Sequence, residues 1–154
     1  MEIAIVGVGK LRSYFREACD DYSGRLKHYA RIREHEVREA SRAPNRVVQL
    51  ADEASRLEAK IAPGSLLVAL TREGSPWSSR DIATQLDRWM ATARPVTLLL
   101  GGSHGLDSAL IARASFRWSL GPLTLPHELA RVVVYEQLYR GFTILRGEPY
   151  HKGG

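Results

Sequence analysis

Apolar positions along this chain recur with two periods, and the two alternate. Glu2–Val8 is a short apolar, β-branched run broken by Gly7 and Gly9, the pattern of a buried strand. Leu11–Tyr29 follows at helical spacing, with Leu11, Tyr14, Phe15, Ala18, Tyr22 and Leu26 on one stripe. Arg31–Val37 sets Ile32, Glu34 and Glu36 against Arg31, Arg33 and His35, which predicts a weakly apolar strand near a sheet edge. Ser41–Asn45, with Pro44, reads as a loop. Val47–Ile61 is predicted helical and is stopped by Pro63-Gly64. Ser65–Leu70 is continuously apolar, as in a parallel strand covered on both faces.

Thr71–Pro76 reads as a loop, and Ser78–Met90 as a helix with Ser78 or Ser79 as cap and Asp81 in its first turn. Val96–Leu100 is a strand that runs directly into Gly101-Gly102. Asp107–Ala114 is a short helix, Phe116–Leu120 a short strand, and a last helix covers roughly His127–Phe142. Some five alternations of strand and helix predict an α/β domain with a mostly parallel central sheet and helices on both faces. With no repeat or linker in view, residues 1–154 are expected to form one domain.

The last helix breaks the amphipathic rule. Leu129, Val132, Val133, Val134, Tyr135, Leu138, Tyr139 and Phe142 cover nearly its whole circumference. A helix apolar all round is buried on more than one side. The expectation is a second subunit on its far side, hence a homodimer; the alternative is enclosure by its own sheet and loops.

Composition narrows the picture. At 44% apolar and 25% charged residues, the chain has the make-up of a globular domain and not of a disordered one. The single cysteine, Cys19, excludes an internal disulfide and a Cys-based zinc or CxxC redox site, and a cytoplasmic setting is expected. No run approaches the roughly 18–20 apolar residues of a membrane span. The opening residues lack the basic segment of a signal peptide. Against 17 acidic residues stand 22 lysines and arginines, so the net charge is +5. Such an excess suits either a solubilising surface or a polyanion partner such as RNA.

In open α/β sheets ligands bind beyond the carboxyl ends of the strands, which directs attention to four loops. Gly7-Val8-Gly9-Lys10 fits no nucleotide loop, because Leu11 follows Lys10 and Arg12 stands where a third glycine would be needed. Gly101-Gly102-Ser103-His104-Gly105 follows a strand and opens a helix, and its three glycines let the backbone approach a ligand. His104 is either a base or a solvated bystander. Leu120–His127 places three leucines among Gly121, Pro122 and Pro126, an apolar wall for a flat aromatic ligand such as adenine. No second histidine stands at metal-ligand spacing from His127, and no Gly-x-Ser-x-Gly elbow exists, so neither a metal nor a serine triad is expected. The tail combines Arg146, Tyr150, His151 and Lys152, a mixture of charge, stacking ring and hydrogen-bond donors suited to RNA.

The ordered set is more specific than its parts. Val6-Gly7-Val8-Gly9-Lys10-Leu11, then Leu98-Leu99-Leu100-Gly101-Gly102-Ser103-His104-Gly105-Leu106, then Trp118-Ser119-Leu120 and Leu123-Thr124-Leu125-Pro126-His127 resemble the RlmH family. Arg131 to Arg140 (Arg-Val-Val-Val-Tyr-Glu-Gln-Leu-Tyr-Arg) and Glu148-Pro149-Tyr150-His151-Lys152 extend the resemblance across nearly the whole chain. That family consists of small SPOUT-class methyltransferases of large-subunit (23S) ribosomal RNA.

The resemblance implies an α/β knot with a deep trefoil knot near the carboxyl end, and a homodimer. It implies methyl transfer from S-adenosylmethionine, without a metal, to N3 of a pseudouridine in 23S rRNA on the assembled ribosome. It carries cofactor binding over to Leu70, Gly101, Gly102 and Gly105, and to Leu120, Gly121, Pro122, Leu123, Thr124, Leu125 and Pro126. It places His127, Arg140, Tyr150 and His151 at the transfer centre, with Arg131, Arg146 and Lys152 toward RNA, and it makes the active site a composite of one subunit's loops and the other's tail. Thr71 stands where relatives often carry an acidic residue, and the Ala40–Asn45 loop matches the family poorly. Two other readings make distinct predictions: a non-catalytic RNA-binding domain would ignore S-adenosylmethionine, and a nucleotide-dependent α/β enzyme would bind ATP or NAD instead.

Overall fold

The computed structural model describes residues 1–153. In chain order the elements are β1 (Glu2–Val8), α1 (Ser13–Leu26), β2 (Arg31–Val37), α2 (Arg46–Glu58), β3 (Leu66–Ser75), α3 (Ser79–Ala91), β4 (Val96–Leu100), α4 (Ser108–Arg113), β5 (Phe116–Trp118) and α5 (His127–Leu145). The five strands form one sheet in the order β2-β1-β4-β3-β5, and every pairing is parallel. The strand order reverses between β1 and β4, the position where doubly wound sheets open a crevice.

Alternation along each strand sorts the core into two layers. Ile3, Ile5, Val68, Val96 and Leu98 point toward α1, α3 and α5, where they meet Leu26, Leu86, Trp89, Leu138 and Phe142. Val6, Val8, Leu67, Ala69 and Leu99 point the other way, onto Leu57 of α2 and Leu110 of α4. The helix starts follow from their caps. Asn45 accepts from Val48 N–H, Asp107 from Ala109 N–H, and Ser78 and Asp81 form a reciprocal capping box.

The apolar circumference of α5 has an account within the chain. α5 lies between α1 and α3 and over the sheet. At Gly141 the approach of α3 is so close that a β-carbon would sit 2.7 Å from Leu86 Cδ1. Enclosure by the chain's own elements, the alternative weighed above, therefore explains most of the pattern.

Two expectations need correction. Thr71–Ser75 is not a loop but the second half of β3. Its polar Thr71-Arg72-Glu73 hides the strand from an apolar reading, whereas pairing with β5 sustains it: Ser119 N–H donates to the Ser75 carbonyl at 2.9 Å, and the register shifts between Leu70 and Ser75. Strand β5 ends at Trp118 instead of running on to Leu120, because the hydroxyl of buried Ser119 accepts from Gly121 N–H and turns the chain. The ends of the helices move by one to three residues, and α5 runs on to Leu145.

A polar cluster of side chains lies between α1, α5 and the edge strand β2. Glu34 accepts from Arg16 Nη2 at 2.8 Å and from the Tyr135 hydroxyl. Burial acts to raise the Glu34 pKa, but hydrogen bonds from Arg16 and Tyr135, with the charges of Arg16 and Arg131, hold it below the ordinary carboxylate value. Burial pushes the Cys19 thiol up to about 11. As pH falls, the unfolded chain takes up the Glu34 proton before the folded one does. The stability this group provides is complete above about pH 4.3, the unfolded value, and drains away as pH drops through the lower folded value. Glu34→Gln is expected to cost about 2 kcal/mol at neutral pH and progressively less in acid, read from urea midpoints; a cost independent of pH would contradict this.

Candidate active site

Two loops curl toward each other at the carboxyl edge of the sheet. The first follows β4. Gly102 and Gly105 bridge each other, Gly105 N–H donates to the Gly102 carbonyl at 3.1 Å, and Gly105 has φ +77. A β-carbon on Gly101 would fall onto the Gly105 backbone, so the curl closes only around glycine. The second runs from Ser119 to Pro126. Gly121, at φ +106, donates its N–H to Ser119 Oγ at 3.2 Å. Arg72 reaches from the polar half of β3 and donates to Thr124 Oγ1 at 2.7 Å, tying the second loop to the sheet.

Between the loops lie two connected clefts. The smaller, about 140 Å³, is lined by Leu70, Trp118, Leu120, Gly121, Leu123 and Leu125, among others. The larger, about 670 Å³, opens over Leu100, Gly101, Gly102, Gly105, Pro126 and His127. Leu70, Arg72, Leu120, Thr124, Leu125 and Ala130 border both. The walls are thus apolar side chains and glycine backbone, with Arg72, Arg46, Ser103 and His104 at the polar side. Of the residues expected to hold a cofactor, only Pro122 lies outside the lining. Leu123 remains 74% exposed at the loop tip.

His127 opens α5 at the wall of the larger cleft, with Nε2 3.9 Å from the place of a Gly9 β-carbon. The other three residues expected at the transfer centre gather elsewhere. Arg140 Nη1 lies 3.1 Å from His151 Nδ1 and its guanidinium 4.7 Å above the Tyr150 ring, while Nε pairs with Glu136 at 2.7 Å. Burial, with a hydrogen bond to Tyr22, pushes the Tyr150 hydroxyl up to about 12. Arg140 stands thirteen helical positions beyond His127, about 20 Å of rise. His127 and the Arg140, Tyr150 and His151 group thus stand toward opposite ends of α5. Arg146 is exposed and stacks over Tyr29 at 4.7 Å, and Lys152 is exposed.

Arg131 is the clear correction. Expected toward RNA, its side chain is instead 2% exposed. Its Nη1 pairs with Glu36 at 2.7 Å, and its Nη2 donates to the carbonyls of Val8 and Gly9 at 3.1 and 3.0 Å. The helical spacing from His127 suggests a shared face, but the residue is turned inward onto the end of β1. A second clasp joins the same parts: Glu128 accepts from Arg12 N–H at 2.7 Å and Arg12 Nε at 3.0 Å, and the Arg12 backbone hydrogen bond above all keeps its carboxyl below the ordinary value. Sequence reasoning missed Arg72, Arg46 and Ala130. The signal for Arg72 was a charged residue immediately after an apolar strand at the ligand-bearing edge.

Comparison with known proteins decides the family. The family model described as "Predicted SPOUT methyltransferase" matches residues 1–151. The chain belongs to the SPOUT methyltransferase family. It is 39% identical over 155 residues to the ribosomal RNA large subunit methyltransferase H of Pseudomonas putida strain F1, covering 99% of this chain and 100% of that one. The protein of the same name from Pseudomonas syringae pv. syringae strain B728a is 38% identical over the same span. Among solved structures, a probable methyltransferase from Bordetella pertussis Tohama I has a TM-score of 0.58 at 18% identity, covering 91% of this chain and 93% of that one. A probable methylase family protein from Haemophilus influenzae Rd KW20 has a TM-score of 0.56 at 13% identity, covering 98% and 70%. The last two show likeness of fold alone.

The Arg131 clamp makes a contrast between two glycines measurable. A β-carbon on Gly7 would sit 2.6 Å from Arg131 Nη2, whereas Gly24 in α1 has nothing within 4 Å. Gly7→Ala is expected to destabilise by about 3 kcal/mol, by displacing a buried charge from its partners. Gly24→Ala should stabilise by about 0.5 kcal/mol, because alanine is the better helix former. Equal effects in chemical denaturation would refute the clamp.

Proposed function

We propose that this protein methylates N3 of a pseudouridine in 23S rRNA of the assembled ribosome, with S-adenosylmethionine as donor, and that it does so as a homodimer in the cytoplasm. The observation that carries this is the pair of facing loops, Gly101–Gly105 and Leu120–Pro126, in a chain that aligns over its full length with relatives named as large-subunit rRNA methyltransferases.

The cleft fits the donor on its own chemistry. The Gly105 backbone packs where a Gly101 side chain would stand, so the glycine curl lines the cleft with main chain, and Leu70, Leu100, Leu120 and Leu125 offer a surface for a flat purine. Arg72 and Ser103 supply donors at the polar side. In the family these loops belong to a trefoil knot, which we take to hold for this chain. S-adenosylmethionine supplies a sulfonium methyl: its S–C bond breaks as a bond to N3 forms, the N3 proton leaves, and the thioether S-adenosylhomocysteine is released.

The residues of this chain then have separable tasks. Arginine can only donate, so Arg140 fixes His151 Nδ1 as an acceptor and leaves a neutral ring presenting Nε2–H. That group can hold a carbonyl of the target base. Arg140 itself supplies positive charge for a ring that has lost its N3 proton. His127, beside the donor cleft, is then the group free to take the proton. Because about 20 Å of helix separates the two sets, the second subunit's Arg140, Tyr150 and His151 meet the first subunit's His127 in this reading. The main contribution to rate is alignment of methyl and N3.

Calorimetry should show binding of S-adenosylmethionine but not of ATP or NAD, and Gly101→Trp should weaken it by at least about 100-fold, since a side chain at Gly101 collides with the Gly105 backbone and forces the glycine curl out of shape. Ribosomes lacking the modification should accept labelled methyl groups. If intact 70S particles stay unlabelled while the donor binds, the substrate assignment is wrong; if the donor fails to bind, the enzyme assignment is wrong.

A further inference from the structure

Beside the active-site cleft, at the carboxyl ends of β1 and β2, lies a second and larger cleft of about 930 Å³ that the reaction does not use. Its outer wall is the Arg38–Asn45 loop, which contains the stretch that matches the family poorly. The loop is built rather than slack. Buried Glu53 of α2 accepts from Ala40 N–H at 3.0 Å and from Gln49 at 3.1 Å. Arg56 of α2 donates to the Arg38 carbonyl at 2.6 Å, and Ala43 N–H donates to the Ala40 carbonyl at 3.1 Å.

What the loop presents is cationic. Lys10, Arg38, Arg42 and Arg56 line the cleft, with Arg46 just beyond. Three carboxylates share it: Glu36, Glu39 and Asp52. Glu36 is already paired with Arg131 and Arg16. Among the described residues no carboxylate lies at ion-pair distance from Lys10, Arg38, Arg42 or Arg46, whereas Arg12, Arg16, Arg25, Arg33, Arg113, Arg131 and Arg140 all have acidic partners. The two clefts share a wall. Ser103 donates to Glu39 at 3.3 Å and Arg46 to the His104 carbonyl at 3.4 Å, both across from the glycine loop.

We infer that the Arg38–Asn45 loop, with Lys10, is a docking surface for the sugar-phosphate backbone of RNA flanking the nucleotide in the active-site cleft. The inference rests on the rRNA-methyltransferase reading above. Unpaired cations on a fixed loop lose little conformational freedom when they meet phosphates, and each contact releases counterions. Such contacts position a strand without reading its sequence.

The test compares the intact enzyme with Arg38→Glu/Arg42→Glu on ribosomes lacking the modification. KM for ribosomes should rise about 10-fold or more with kcat within about two-fold, and donor affinity by calorimetry should be unchanged. The slope of log KM against log salt should fall by about two, one for each phosphate contact removed. Arg38→Gln/Arg42→Gln provides the same readout with less perturbation, and circular dichroism verifies both folds. Arg88→Glu, a charge reversal on the far side in α3, should leave KM alone. An unchanged KM and salt slope in a folded variant that still methylates ribosomes overturns the surface while the enzyme reading stands. A wild type that methylates no ribosome overturns the reading itself. If the variants lose ribosome affinity but bind protein-free 23S rRNA as tightly as wild type, the loop contacts ribosomal protein and the RNA assignment is wrong.

Discussion

One buried guanidinium holds the working end of the molecule together. Arg131 joins three things that the chain must bring to one place: the end of β1, the end of β2 and the start of α5. Burying a cation is costly, and its Nε has no partner. The cost is offset by a paired carboxylate and by two backbone carbonyls at the strand end that accept from the guanidinium. Gly7 exists in this arrangement as empty space for the side chain. With the Glu128–Arg12 clasp beside it, the clamp sets where His127 stands relative to the glycine loop.

The same economy shapes the cleft. Its floor is strand-end leucine, its sides are two loops closed by glycine, and its charge comes from residues entering from outside, Arg72 from β3 and Arg46 from α2. The geometry supports positioning a bound donor and an incoming base, which is what direct methyl transfer between two held partners requires.

Much of this is legible in the sequence, for identifiable reasons. Val96–Leu100 can be read to the residue because a strand covered on both faces is nearly all apolar, Thr97 being the one exception; the first loop stands out by its three glycines and the second by leucines set among glycine and proline. The far half of β3 is hidden, since Thr71, Arg72 and Glu73 are polar and fall in the irregular stretch between Leu70 and Ser75, the two points at which β3 pairs with Trp118 of β5. Arg131 is misplaced by sequence reasoning because periodicity gives a helix face but not which neighbour covers it, and an arginine is ordinarily a surface residue. The all-round apolar α5 has two explanations, and only the positions of α1 and α3 separate them. The gap of about 20 Å between His127 and Arg140 follows from helical rise alone, yet its meaning depends on knowing that the tail folds back on Arg140.

The two outer strands carry a consequence for assembly. β2 shows solvent the charged side chains of Arg31, Arg33 and Glu36, and β5 is three residues long. Charge on one border and brevity on the other both discourage a second sheet from adding on by backbone pairing. Lateral growth into a continuous sheet is thus closed to this fold. Two copies that meet would have to do so through helix faces and loops, surfaces read by side-chain shape and charge and not by the regular ladder of the backbone.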